Sequence, residues 1–252
     1  MIYKNMIVVI YDWSGNLNFS FMMAGIESIM NEYFVSLSNC GMYKAEGRKR
    51  VFYEKIDFLN KDVKSEVEIY GSLKRRKDID AWESYFLYKK SNHGSTMILE
   101  ASLNILKIES IVELMKRFSS ISNIGYGYAK KSVGGAGGVF EALGVTFGFP
   151  KSPIEKKKAD EDSRWFDERL LVNGSQKMRH LKGMFRSVYE VNIINDFHLS
   201  IDIDGRSLRS VVTEDEDFGE LIGLNNGSYI WVIPEDQVAR IRKCVNLAGG
   251  VI

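Results

Sequence analysis

The chain is 252 residues long, 45% apolar, and carries a formal net charge of +1. That length and apolar content allow a sizeable core, as one large domain or two of roughly 100–150 residues, and the balanced charge gives no ground for general nucleic-acid or membrane-surface binding. Cys40 and Cys244 are too far apart in sequence for a disulfide framework or a metal-ligand spacing, and no apolar run nears the roughly 18 residues of a membrane span, so a reduced, cytoplasmic protein is expected.

Residues 6–11 (MIVVIY) form an apolar, β-branched run of strand length. Asp12 interrupts the run and no small-residue cleavage site follows, which favours a strand over a signal peptide. After a turn at Ser14-Gly15-Asn16, residues 17–37 are apolar throughout and suited to a helix, which Cys40-Gly41 would close. From residue 48 to 105 the period becomes two. Four alternating segments, around Val51, Val67, Phe86 and Ile98, are separated by polar turns and predict antiparallel strands.

Helical spacing returns in IESIVELMKRF, where Ile108, Ile111, Val112, Met115 and Phe118 share one face. A strand-like NIGYGYA follows. Residues 150–162 (PKSPIEKKKADED) combine two prolines, a lysine triplet and an acidic cluster, the composition of a solvated loop or linker. Beyond it, Ser163 is a candidate N-cap for a short helix. Phe185, Val188, Tyr189, Ile193, Ile194, Phe197 and Leu199 mark a segment expected to be largely buried. SLRSVV reads as a helical turn, EDEDFGEL as an acidic loop and NNGSYIWVI as a turn entering a strand. Pro234 suits the first position of a final helix with Val238, Ile241, Val245 and Ala248 on one face. The order predicts an α+β protein with a central antiparallel sheet and helices packed on one face. Its lobes would be residues 1–150 and 163–252, joined by a polar linker at 151–162, or it would form one continuous domain.

The glycine-rich stretch at 125–138, GYGYAKKSVGGAGG, fails both nucleotide fingerprints. No G-x-x-x-x-G-K-[ST] occurs, and neither Gly125-x-Gly127 nor Gly135-x-Gly137 has the third glycine of G-x-G-x-x-G. Two readings are left. One is a nest of backbone N–H groups holding an anion beside Lys130, Lys131, Ser132, Gly134 and Gly135. The other is the ordinary use of glycine, here a flexible bend leaving a strand.

His93, His180 and His198 are isolated, with no H-x-H, H-E-x-x-H or Cys-x-x-Cys, so no metal site is assigned. His198, between Phe197 and Leu199, is expected to be hydrogen-bonded and half-buried. Arg179 and His180 suit either anion contact or a solvated helix face. No G-x-S-x-G elbow exists and neither cysteine has a histidine nearby in sequence, so no catalytic residue is assigned. Glu214, Asp215, Glu216 and Asp217 diverge as adjacent side chains do, which favours a solvated loop suited to steering a basic partner.

Two resemblances bear on function. Val188, Tyr189, Asn192, His198, Leu199, Gly205, Leu208, Gly219, Leu221 and Trp231 form a pattern of hydrophobic anchors, an H-L pair, a Gly-x-x-L turn and a final aromatic strand. Over roughly the last quarter of the chain this pattern resembles bacterial immunity proteins, including the family paired with type VI secretion effectors. The resemblance implies a non-enzymatic cytoplasmic protein of immunity or defence-accessory type, binding a cognate toxin or a defence-complex subunit, with no cofactor and no membrane. The run GGAGGVFEALGVTFGF is similar to glycine-rich loops of ferredoxin-like proteins in RNA-guided systems. It implies the alternative of a nucleic-acid-binding component, with Lys130, Lys131 and the basic stretch 177–186 on backbone phosphates. An enzyme site assembled from distant residues is a third reading.

Overall fold

The apolar run near the N-terminus becomes β1 (Asn5–Asp12), with all its residues buried, so both faces of the strand are covered. The computed structural model describes residues 5–12, 19–29, 38–44, 50–53, 67–72, 85–91, 94–103, 106–122, 124–132, 183–225 and 227–251. The chain divides into two compact units, Met1–Ile124 with Lys131–Val139 and Gly125–Lys130 with Phe140–Ile252. The expected linker at 151–162 and the Ser163 cap lie outside the described residues. The architecture is α+β with antiparallel strands, as the sequence pattern implied.

In the first unit, β1 is followed by α1 (Phe19–Ile29), β2 (Ser38–Lys44), β3 (Arg50–Tyr53), β4 (Val67–Ser72), β5 (Tyr85–Ser91), β6 (Gly94–Ser102) and α2 (Ile108–Ser119). Its strands run in the order β1-β6-β5-β4-β2-β3, each antiparallel to its neighbour. The four alternating segments are β3 to β6. Cys40 and Gly41 do not end a helix; they pair within β2, opposite Tyr53 and Phe52.

Helix α2 buries Ile111, Leu114, Met115 and Phe118 on one stripe, with Glu109 in its first turn and Lys116 and Arg117 in its last, as the helix dipole favours. It packs against α1 at Gly25, where a β-carbon would come within 2.5 Å of the Phe118 ring. Phe21 and Phe118 meet at 6.0 Å between ring centroids, and Arg117 donates to Ser28 Oγ at 2.8 Å.

Buried polar groups pair locally in this unit. Asn5 donates to Glu100 Oε1 at 3.0 Å, and Ser95 donates to Asp12 Oδ2 at 3.4 Å. Burial, offset in part by a hydrogen bond with Ser95 and reinforced by the Asp12 charge, pushes the Tyr88 phenol up to about 12.

The second unit takes the middle of β7 (Ile124–Ser132), then β8 (Val191–Asn195), α3 (Asp196–Leu199), β9 (Asp202–Ile203), β10 (Arg206–Ser207), α4 (Leu208–Glu214), a 3-10 turn (Glu216–Phe218), β11 (Glu220–Gly223), β12 (Ser228–Val232) and α5 (Val238–Leu247). Its strands run β11-β12-β8-β7, again antiparallel. The β9–β10 hairpin turns at Asp204-Gly205 with φ of 51° and 82°, the two positive values a type I′ turn requires. Gly219, at φ 90° and ψ −160°, brings the chain against the Val232 carbonyl oxygen as β11 begins.

Three expectations change here. The strand expected at NIGYGYA is β7, and it runs on through Lys130, Lys131 and Ser132, where a bend was expected, with Tyr126 and Tyr128 alternating with glycines and burying their rings. Pro234 opens a turn closed by Gln237 N to Pro234 O at 2.9 Å, and α5 starts later, at Val238. Val238, Ile241 and Val245 are buried, but Ala248 is the exposed C-cap.

Candidate functional site

An aromatic core underlies the most distinctive surface of the second unit. Tyr126 stacks on His198 with centroids 5.7 Å apart and planes 6° from parallel. Phe185 meets His198 edge-on at 4.7 Å and Trp231 at 6.0 Å. The Trp231 indole N–H donates to the Phe218 carbonyl at 2.7 Å, so its buried polar atom is paired. His198 is fully buried, deeper than the half-burial expected from its neighbours.

This burial follows from the sequence N-D-F-H. Asn195 caps α3 with its side chain, accepting from the amides of Phe197 and His198, while His198 Nδ1 accepts from the Asn195 amide, a capping box with histidine in the third position. One helical turn then sends His198 and Leu199 inward and Asp196 and Phe197 outward. Phe197 is 63% exposed, against the expectation that it would be buried. From the other side Gly183, at φ 88°, lies so close that a β-carbon would come within 2.6 Å of the Phe197 carbonyl carbon. The exposed ring thus projects from a turn fixed at both faces.

Beside it, Arg209 of α4 donates to Asp196 Oδ1 at 2.5 Å and lies 4.7 Å over the half-buried Tyr229 ring. A hydrogen bond with Tyr229, opposed by desolvation, raises the Arg209 pKa above its usual value. Asp196, Arg209 and Tyr229 thereby form one charged and aromatic cluster, and Phe197 follows Asp196 in the chain. Buried aromatic and arginine anchors are the residue types that dominate protein interfaces.

A second cluster surrounds Tyr189. Its ring stacks on Tyr128 at 4.4 Å, with Lys130 Nζ at 5.8 Å and the Arg242 guanidinium at 5.7 Å from its centroid. Arg186 donates to the Tyr128 hydroxyl at 2.7 Å, and Arg242 donates twice to the Val188 carbonyl, at 2.7 and 3.0 Å. The Arg186 bond holds this segment against β7, and the Arg242 bonds hold it against α5.

No protein-family model matches this chain, and no curated protein matches it. Among solved structures, it is similar to a Pseudomonas aeruginosa T6SS protein, at 13% identity and a TM-score of 0.49, over 92% of this chain and 67% of that one. It is also similar to the toxic C-terminal tip of CdiA from Pseudomonas aeruginosa in complex with immune protein, at 13% identity and a TM-score of 0.28, over 52% of this chain and 88% of that one. Both are resemblances only.

The residues singled out in the sequence fall in several places. Lys130 and Lys131 are half-exposed neighbours on β7 and alternate in direction, and Ser132 is buried with its hydroxyl 3.5 Å from Glu100 Oε1. Gly134, Gly135, Arg179 and His180 lie outside the described residues. Glu214 pairs with Arg206 at 3.0 Å, and Asp217 is 3.7 Å from Arg240. Asp215 caps the 3-10 turn by accepting from the Asp217 amide at 3.0 Å, while Glu216 is exposed within that turn.

Most positions carrying the C-terminal resemblance are framework, while Tyr189 and Leu221 are half-exposed. Val188, Asn192, His198, Leu199, Leu208 and Trp231 are buried, and Gly205 and Gly219 occupy positive-φ turns. Phe197, Arg209 and Tyr229 carry the outward patch and were not singled out as binding residues. The spacing of Asn195 and His198 is the signal that would have found Phe197.

Proposed function

We propose that this chain acts by binding a protein partner, without catalysis, as an immunity or defence-accessory protein whose partner is a cognate toxin or a subunit of a defence complex. The observation that carries this reading is Phe197, exposed to 63% on a turn locked by a capping box and by Gly183. A rigid exposed aromatic loses little conformational entropy when a partner covers it. Arg209 and Tyr229 extend the apolar contact with a planar cation, and Asp196 keeps that cation oriented. The buried resemblance positions form the scaffold beneath this patch.

The experiment is co-expression with the product of each adjacent gene, followed by sizing of the complex and by growth protection against any toxic product. A stoichiometric complex is expected, with Phe197→Ala weakening it roughly thirtyfold, the size of an interface hot spot. If no adjacent product forms a complex, the immunity reading falls. If a complex forms and Phe197→Ala leaves its affinity unchanged, the surface assignment falls.

One observation favours nucleic-acid binding instead. Lys130, Arg186 and Arg242 gather around Tyr128 and Tyr189, and basic grooves with aromatic faces suit single strands. That reading requires affinity for single-stranded RNA that falls steeply with salt and with Lys130→Ala.

A further inference from the structure

The outer edge of β11 lies next to the Phe197 patch, since Gly223 pairs with Tyr229 across the sheet. β11 ends its strand order, and among the described residues β12 alone pairs with it. Leu224 N donates to Ser228 O at 2.8 Å, which fixes the phase of the ladder. With Glu220, Leu221, Ile222 and Gly223 opposite Val232, Trp231, Ile230 and Tyr229, the backbone groups of Glu220 and Ile222 face β12. Those of Leu221 and Gly223 therefore point outward.

Natural edges are commonly blunted by shortness, charge, proline or a bulge, and β11 is four residues long with the exposed Glu220 at its start. Residues 220–224 read ELIGL and hold neither lysine nor proline, and the β11–β12 register runs without a shift. Leu221 and Ile222 are half-exposed, Gly223 is exposed, and a β-carbon built on Gly223 meets nothing within 4 Å.

We propose that this edge pairs with the same edge of a second copy of this chain, antiparallel about a two-fold axis. Centring the axis at Ile222 sets Leu221 opposite Gly223 of the second copy, and Gly223 opposite its Leu221. These are hydrogen-bonded pairs, so each exchanges two N–H···O=C bonds. The Leu221 side chain meets the open space at Gly223 on the facing strand. Ile222 faces its own copy as a close, β-branched, non-hydrogen-bonded pair, a favourable cross-strand combination. Glu220 faces Leu224, so the symmetry brings no like charges opposite each other. An edge whose hydrogen bonds and shape are met by its own two-fold copy, with no like charges opposed, identifies a second copy as its occupant.

The test uses the full chain alone, by sedimentation equilibrium from micromolar concentration to the limit of solubility, with a dimer of twice 28.8 kDa expected. Gly223→Lys, at an exposed position with ordinary φ, fills the space that Leu221 enters and should raise the dimer dissociation constant by about tenfold or more. Ile222→Cys under a mild oxidant should give a disulfide between the two copies at position 222, identified by mass spectrometry. A non-hydrogen-bonded pair sits at about 4.5 Å between Cα atoms, within disulfide reach.

A chain that remains monomeric at every concentration, with no link at position 222, overturns the proposal. So does a dimer that Gly223→Lys leaves unchanged, which would place the interface elsewhere. Amide-exchange protection of Leu221 and Gly223 appearing only with a different protein overturns it too, and makes that protein's strand the occupant. Phe197→Ala should leave self-association unchanged, which separates this result from the fate of the partner-binding reading.

Discussion

Replacing Gly219 by alanine isolates the cost of starting β11 where it starts. Gly219 sits at φ 90° and ψ −160°, a region essentially confined to glycine, where a side chain costs roughly 1–3 kcal/mol. A β-carbon there also collides with the Val232 carbonyl oxygen. That carbonyl cannot simply retreat, because Val232 pairs with both Glu220 and Val191, and the next residue, Ile233, donates to Glu190 O at 2.9 Å. Giving way means losing one or two ladder bonds, at roughly 0.5–1.5 kcal/mol each, so the total is about 1.5–6 kcal/mol. Gly205→Ala is the control. Its φ is 82°, but nothing lies within 4 Å of the added carbon, so only the left-handed backbone cost of roughly 1–2 kcal/mol applies. Native-state amide exchange at Ile222 and Ile230 reads the local opening free energy of this hairpin, and urea unfolding reads the whole. Equal losses in the two variants, or a loss below about 1 kcal/mol for Gly219→Ala, would refute the argument from close approach.

Trp231→Phe should lower stability by at least about 1–3 kcal/mol in urea unfolding, because the Phe218 carbonyl loses its buried indole donor. Phe197→Ala should change the unfolding free energy by less than about 0.5 kcal/mol, since the ring is exposed and the cap is made by Asn195 and His198; a large loss would mean that the ring serves the fold. Tyr88 should keep its proton until about pH 12 when ionisation is followed by ultraviolet absorbance. The folded chain holds that proton longer than the unfolded one, whose phenol titrates near 10. The contribution of Tyr88 to stability is therefore intact below about pH 10 and falls as pH rises from about 10 to about 12; unfolding free energies that stay flat across that interval would contradict it.

Strand periodicity carried most of the fold. The alternations at β3 to β6 and the apolar run at β1 were legible because burial on a pleated surface imposes its own period. β2 was not, since S-N-C-G-M-Y-K has the composition of a helix end and becomes a strand only by pairing with β3 and β4. The outward patch was hidden for a different reason. Phe197 lies among apolar residues, and a hydrophobicity count buries it with them. A single helical turn fixed by Asn195 and His198 points it the other way. The charges of Glu214 and Asp217 read as free solvated acids because Arg206 and Arg240 come from other elements of the fold.

Strand β7 has a consequence for synthesis. The chain enters the second unit at Gly125, leaves at Lys131 and returns at Phe140, and within that unit Gly127, Tyr128 and Ala129 pair with Ile193, Asn192 and Val191. On the ribosome, β7 emerges roughly sixty residues before β8, and its two tyrosines must wait for Phe185, Tyr189 and His198. Closing a loop of that length is slow relative to local pairing. A nascent chain halted between the two strands would hold Tyr126 and Tyr128 before Phe185, Tyr189 and His198 have emerged.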